Sequence, residues 1–330
     1  MKRWLPFELH THTFHSDGKH SLRELAISAR NLGLHGIALT DHNTMTGLDE
    51  RDRISAETGV AIIRGLEWTT FFGHMVTLGI EKYVDWRNLS PFHLHRGIRA
   101  VHEQGGIVGV AHPFRTGSPM CTGCYWEFEV SDWHEVDYFE VWSETFPSIV
   151  RSNARAFAKW TDLLNAGYRI SATCGRDWHT SDPISEPVAA TFLYVRDGPD
   201  LEREAIEAIR GGKVAVSMGP LPVIELVCPS TGRLFGAGDV ADVTPRTECE
   251  VRIRVDASAR AGFWNMPQQM LDVRLAGNTG VLQTLRVPSS GGEAVTRVVL
   301  DGISWLRAEL FGTIAGVRTM IGFTNPVYVR

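Results

Sequence analysis

The sequence predicts an α/β protein: residues 1–220 as a closed or nearly closed barrel, then a small C-terminal antiparallel β domain over residues 221–330, β-sandwich-like in pattern. Two observations predict this. Short apolar runs alternate with helix-like segments through the first two thirds of the chain, which implies a parallel sheet. So many units in about 220 residues suit a barrel better than an open sheet. Beyond Gly219-Pro220-Leu221-Pro222 the pattern shifts to short alternating stretches separated by turn residues, as in an antiparallel β domain.

The elements follow in order. Residues 7–10 read as a strand. Residues 21–32 read as a helix, with Ser21 as N-cap, Glu24 three residues on and Gly33 after its end. Residues 36–40 are a buried strand, and residues 45–58 a second helix weakened by Gly47. Strands at 60–66 and 74–80 precede a helix at 92–104 that stops at Gly105-Gly106. Further strands fall at 107–111, 138–142, 170–173 and 191–195, with helices near 149–165 and 200–210. In the β domain the alternating stretches are 251–255, 271–275, 297–300 and 305–310. The connection over residues 115–136 has little periodicity and reads as a lid over a site.

Composition excludes several classes. The chain has 330 residues, 33 Lys+Arg against 38 Asp+Glu, and a formal charge of −5. That mildly acidic balance argues against a general nucleic-acid binder. No apolar run is long enough to span a membrane, and residues 1–8 lack a signal-peptide core. Five cysteines, an odd count, fit reduced thiols and a cytoplasmic location better than a disulfide framework. Cys121 and Cys124 form a single CxxC, which cannot close a four-ligand metal site, and read as two loop thiols.

Histidines decide the rest. Of 13, six lie at or near strand ends, beside three carboxylates. The first strand ends in His10-Thr11-His12, with Asp17 in the following loop; the second ends in Thr40-Asp41-His42 and the third in Gly65-Leu66-Glu67. His74 opens a strand directly after Gly73, His112 follows Ala111, and Asp177 and His179 follow Gly175-Arg176. In a parallel barrel such ends converge on one mouth. Side chains two apart on a strand point the same way, so His10 with His12, and Asp177 with His179, can grip one region. Nine candidates exceed one tetrahedral zinc and suit two or three cations. Asp41 reads as orienting a ligand imidazole. The other seven histidines are expected on the surface, with His15 and His134 as candidate general acids.

His10-Thr11-His12 with Ser16-Asp17-Gly18, Thr40-Asp41-His42, Glu67, Ala111-His112-Pro113 and Asp177-x-His179 resemble the four motifs of the PHP (polymerase and histidinol phosphatase) superfamily over roughly residues 7–217. Gly65-Leu66-Glu67-Trp68-Thr69, Gly73-His74-Met75 and Gly322-Phe323-Thr324-Asn325-Pro326 further resemble its branch named after the carbaryl hydrolases CehA and McbA. The resemblance implies a distorted (β/α)7 TIM-like barrel, the PHP fold, and a site for two or three divalent metals, whether Mn, Fe or Zn. By position it implies His10, His12, Glu67 and Asp177 at a first metal. Glu67 would bridge to a second, completed by His74 and His112, and Asp17, His42 and His179 would hold a third.

The expected function is a metal-dependent hydrolase, foremost a phosphoesterase in which a metal-bridging hydroxide attacks a small, anionic substrate. Asp177 and His179 would take part in catalysis, and Arg115 and Arg176 would clamp the anion. The alternatives are hydrolysis of aryl carbamates, esters or amides at the same metals, suggested by Trp126 and Trp133, and a non-catalytic metal-stabilised scaffold. Neither a membrane nor a nucleic-acid partner is expected.

Overall fold

A computed structural model describes residues 1–117, 123–228, 232–244 and 246–330. In chain order its main elements begin with β1 (Lys2–Thr11), α1 (Leu22–Asn31), β2 (Gly36–Leu39), α2 (Arg51–Thr58), β3 (Ala61–Thr70), β4 (Gly73–Leu78), α3 (Leu94–His102) and β5 (Ile107–Ala111). Then come β6 (Tyr138–Ser143), α4 (Arg151–Asn165), β7 (Ser171–Gly175), β8 (Ala190–Arg196), α5 (Leu201–Arg210) and β9 (Val214–Ser217). The rest is strand: β10 (Leu221–Val227), β11 (Leu234–Gly236), β12 (Val240–Ala241), β13 (Glu248–Asp256), β14 (Met270–Gly277), β15 (Gly280–Pro288), β16 (Gly292–Val299), β17 (Trp305–Ile314), β18 (Val317–Thr324) and β19 (Val327–Val329).

The fold is mixed α/β. Local chemistry explains its elements. Ser21 and Glu24 form a reciprocal capping box at the start of α1. Leu22, Leu25, Ala26 and Ala29 then repeat at helical spacing and are buried, and Gly33 leaves the helix at φ 71°. Every residue of β5 is buried, as expected for a strand covered on both faces. In β13 only Cys249, Val251, Ile253 and Val255 are buried, so one face is open.

Strands β1, β2 and β3 are parallel, and so are β5, β6 and β7. The expectation of a wholly parallel arrangement is corrected at two places. Strand β4 runs antiparallel to both β3 and β5. The reason is its connection: Thr70 pairs with Gly73, leaving two residues for the turn, and a parallel return needs a dozen or more. Strand β8 is antiparallel to β1 and β9, because residues 176–189 contain no helix to carry the chain back across the sheet. Past β7, the Trp178 N–H donates to His10 O (3.0 Å) and the His12 N–H to Trp178 O (2.9 Å). The two ends of the β1-to-β7 run therefore meet.

The C-terminal strands join the same hydrogen-bonded sheet, since β18 pairs with β9 and β17 with β14, β18 and β19. A second sheet has the order β11-β10-β13-β16. The buried Asn325 side chain accepts from Ala172 N (2.8 Å) and donates to Ala172 O (2.9 Å), fixing the tail to β7. Leu5, Phe7 and Leu9 cluster with Leu201, Ala205 and Ile209 of α5. No helix among the described residues is long and apolar enough to cross a membrane.

Candidate metal centre

The ends of β1, β2, β3 and β5 and the segment after β7 meet at one mouth. The reversal of β4 brings its first turn there too, which is how His74 arrives beside Glu67. The nine residues expected as ligands come together in three groups, each with ligand atoms within 4.8 Å of one another: His10, His12, Glu67 and Asp177; Glu67, His74 and His112; and His12, Asp17, His42 and His179. His12 thus reaches two groups. Glu67 is central: Oε1 lies 2.9 Å from His74 Nδ1 and 3.2 Å from His112 Nε2, and Oε2 lies 2.8 Å from His42 Nδ1 and 3.3 Å from His10 Nε2. Asp177 Oδ1 lies 2.9 Å from His12 Nε2, and Asp17 Oδ1 3.0 Å from His179 Nε2.

Backbone geometry here is unusual. Asp177 (φ 56°) and His112 (φ 26°) both adopt left-handed backbone, a strain found mainly where function over-determines conformation. Gly175 has no space for a side chain, since a Cβ would lie 2.4 Å from Glu140 Oε2 and 2.5 Å from His10 Cβ.

The electrostatics describe a site short of positive charge. Glu67 and Asp177 are buried, which alone would raise their pKa values. The surrounding imidazoles, His10 foremost, outweigh burial and hold both well below the usual carboxylate range. Burial likewise opposes charge on His42, yet Glu67 and Asp17 lift it to about 10. Burial wins at His12 and lowers it to about 4. His10 Nε2, both His12 nitrogens, Glu67 Oε2, His74 Nε2, His112 Nδ1 and Asp177 Oδ1 are buried without an aligned hydrogen bond. Buried polar atoms are rarely left so. Divalent cations fit this mixed nitrogen and oxygen set.

Supporting contacts complete the picture. Glu140 Oε2 lies 2.9 Å from His10 Nδ1, and its Oε1 accepts from His112 N (3.2 Å). Sequence reasoning missed it, although an acid in the middle of a wholly buried strand was the available signal. Asp41 does not orient an imidazole. It accepts from Thr13 N (2.6 Å), Thr13 Oγ1 (2.7 Å) and Ser16 Oγ (2.7 Å), holding the loop that carries Asp17. His179 Nδ1 is 2.8 Å from Asp177 O, which leaves Nε2 toward Asp17. Arg115 reaches the site, donating to Asp177 Oδ2 and pairing with Glu144 (3.3 Å). Arg176 is not brought there. It is 5% exposed and its guanidinium lies 3.6 Å from the Trp178 ring centre.

A pocket of about 290 Å³ opens over the groups, lined by Asp17, His74, Arg115, Cys124 and His179 among others. Cys121 lies outside the described residues. The described part of the long connection is tied down rather than free to act as a lid. Trp126 N donates to Pro113 O (2.9 Å), and His95 and His102 reach Glu135 (2.6 Å) and Asp137 (2.8 Å). His95 and His20 are buried, against expectation, His20 by its own contacts: its Nε2 lies 2.7 Å from His12 O. His15 and His134 take local partners: His15 Nδ1 lies 2.9 Å from Thr46 Oγ1, and His134 Nδ1 lies 2.8 Å from Asp132 Oδ1.

A fold with these histidine and carboxylate groups defines a PHP-domain protein. The PHP domain profile matches residues 8–104, and the chain belongs to the PHP family. It is 30% identical over 125 residues to an uncharacterized protein of Methanocaldococcus jannaschii, covering 34% of this chain and 69% of that one. It is also 36% identical over 80 residues to a 5'-3' exoribonuclease of Haemophilus influenzae, covering 23% of this chain and 29% of that one. Among solved structures, it is similar in fold to a two-domain protein from Bacteroides vulgatus containing a predicted PHP-like metal-dependent phosphoesterase. There the TM-score is 0.55 at 16% identity, covering 99% of this chain and 96% of that one.

Proposed function

We propose that this protein is a metal-dependent phosphoesterase acting on small anionic substrates. The observation that carries the reading is the set of buried, unaligned nitrogen and oxygen atoms converging on Glu67 and Asp177. His10, His12, Glu67 and Asp177 would hold one cation, Glu67, His74 and His112 a second, and Asp17, His42 and His179 with His12 a third. When bound, Mn, Fe or Zn supplies Lewis acidity and a water of lowered pKa as nucleophile. Glu140 fixes the ring of His10, and Asp41 fixes the loop bearing Asp17. Arg115 is placed to exchange its contact with Asp177 for a substrate oxygen, a role that suits a planar guanidinium. Arg176 stays under Trp178 and is assigned no substrate contact. If the third group holds no cation, His179 or His42 would instead polarise water or protonate the leaving oxygen.

We read the β1-to-β7 run as the distorted (β/α)7 barrel. Residues 221–330 are its accessory β-rich part, which braces β7 and β9 through β18 and Asn325. The CehA/McbA-like tail motif would serve this bracing. The alternative of an aryl carbamate, ester or amide hydrolase would use Trp126 and Trp133, which pack on Phe128 and Phe139.

The test is a panel on the Mn- or Zn-loaded protein: aryl phosphate monoesters and diesters, aryl carboxylic esters and carbamates, and a 5'-phosphorylated oligonucleotide, since one relative is named for RNA. Turnover of phosphates alone is expected. Turnover of carbamates or carboxylic esters alone would overturn the phosphoesterase reading, and tight metal without any turnover would favour a scaffold.

A further inference from the structure

A cavity of about 960 Å³ lies at the other end of β1 from the metal groups. It is lined by Trp4 near the start of β1, whereas His12 follows the strand's end. At about 3.3 Å per residue the two lie roughly 26 Å apart along the chain. Its walls come from the start of β1, the end of α1, β8, β10 and the turn after β13. The volume falls in the range of small-molecule sites.

Two properties of the lining point to a ligand class. The first is aromatic. Trp4 and Tyr194 are cross-strand partners on β1 and β8, with ring centres 5.2 Å apart, and Tyr194 remains 36% exposed. Phe192 and Phe263 also line the cavity. The second is charge. Six Lys or Arg side chains line it against three carboxylates. Four of the six cations are paired: Lys213 with Asp239 (2.6 Å), Arg254 with Asp256 (3.2 Å), Lys2 with Glu204 (3.9 Å) and Arg3 with Asp197. Arg30 has no ionic partner among the described residues. Arg260 is 7% exposed and anchored to Leu32 O and Val188 O (both 3.2 Å), and its Nη2 is unpartnered. Behind it the buried Arg176 carries three unpartnered guanidinium nitrogens. The buried Glu8 lies within electrostatic reach of both arginines, so the cations left to attract an anion into the cavity are Arg30 and, at its edge, Arg260.

We propose that this cavity is a second ligand site, separate from the metal centre, for a planar aromatic anion. The ring lies against Trp4 and Tyr194, and the anionic group faces Arg30 and Arg260. Stacking and a charge-assisted contact each add to the other.

The test is calorimetric titration of the metal-loaded protein with naphthalene-2-sulfonate, with neutral 2-naphthol and methanesulfonate as controls. One equivalent should bind, at least tenfold tighter than either control. Arg30→Glu, an exposed change, and Arg260→Met should each weaken binding about tenfold, whereas Arg115→Ala beside the metal groups should leave it unchanged. Arg30→Glu keeps the test valid if Arg260→Met fails to fold. Absence of binding at millimolar probe, equal binding of 2-naphthol, or loss in Arg115→Ala with retention in Arg30→Glu would overturn the proposal.

Discussion

At the scale of the residue, Glu140 is the side chain whose position most needs explaining. A carboxylate inside a strand as buried as β6 is costly unless it is hydrogen-bonded, and Glu140 is satisfied by His10 and the His112 N–H. A partner on the far nitrogen of a ligand imidazole sets its tautomer and direction. Glu140→Gln keeps the shape and removes the charge, and metal affinity should fall about 10–100-fold by chelator competition; unchanged affinity would remove the orienting role. Asp177→Ala should lose both bound metal, by elemental analysis, and turnover; a variant retaining both would exclude Asp177 as a ligand. The nine grouped residues were legible in the sequence because they stand at or near strand ends, where a motif and a position coincide. Glu140 was not, because it belongs to no motif. Arg176 was misread because it adjoins Asp177 in sequence, whereas the left-handed turn at Asp177 sends the two side chains apart and leaves Arg176 on Trp178.

Among elements, α1 is defined by its cap. Ser21 N and Oγ both donate to Glu24 Oε2 (2.8 Å each), and Glu24 N donates to Ser21 Oγ (3.2 Å). These bonds hold the Glu24 carboxyl below its ordinary 4.5. Its contribution is complete above that value and is lost as pH falls through the lowered one. Ser21→Ala should therefore cost about 1 kcal/mol near neutral pH by urea unfolding, with the gap to the parent narrowing below pH 4. A gap that stayed constant would detach Glu24 from the cap. Asn325 locks the last strands to β7. Asn325→Ala strands the Ala172 N–H and carbonyl, at about 1–3 kcal/mol for each group left unpaired, again by urea unfolding. Helix α1 was readable from its capping pattern and β13 from its alternation. The reversal of β4 was not, because a run of apolar residues specifies a strand but not its direction.

For the whole molecule, a cation held by the histidine and carboxylate groups would also act on stability. A cation that binds only the folded chain stabilises it by about 2.7 kcal/mol at a hundredfold excess over its Kd. Chelation should lower Tm by several degrees, and added Mn or Zn should restore it; a Tm indifferent to both would mean that the groups hold no cation. Strands from before and after residue 220 share one hydrogen-bonded sheet, a continuity the change of pattern there concealed. Arg260 shows the same limit. In sequence it is one residue of a turn, yet it lies within electrostatic reach of Arg176 on the other side of the chain's length.

The two-residue turn between β3 and β4 has a kinetic consequence. Glu67 and His74 are seven positions apart and face each other across this hairpin. Hairpins close in about 1–10 μs, whereas contacts between distant segments come later. Two of the three side chains of one metal group are thus assembled while the nascent chain is still open, so a cation has a partial cradle to meet before His112 arrives. Metal present during refolding should then do more than reward the finished protein: it should speed its formation.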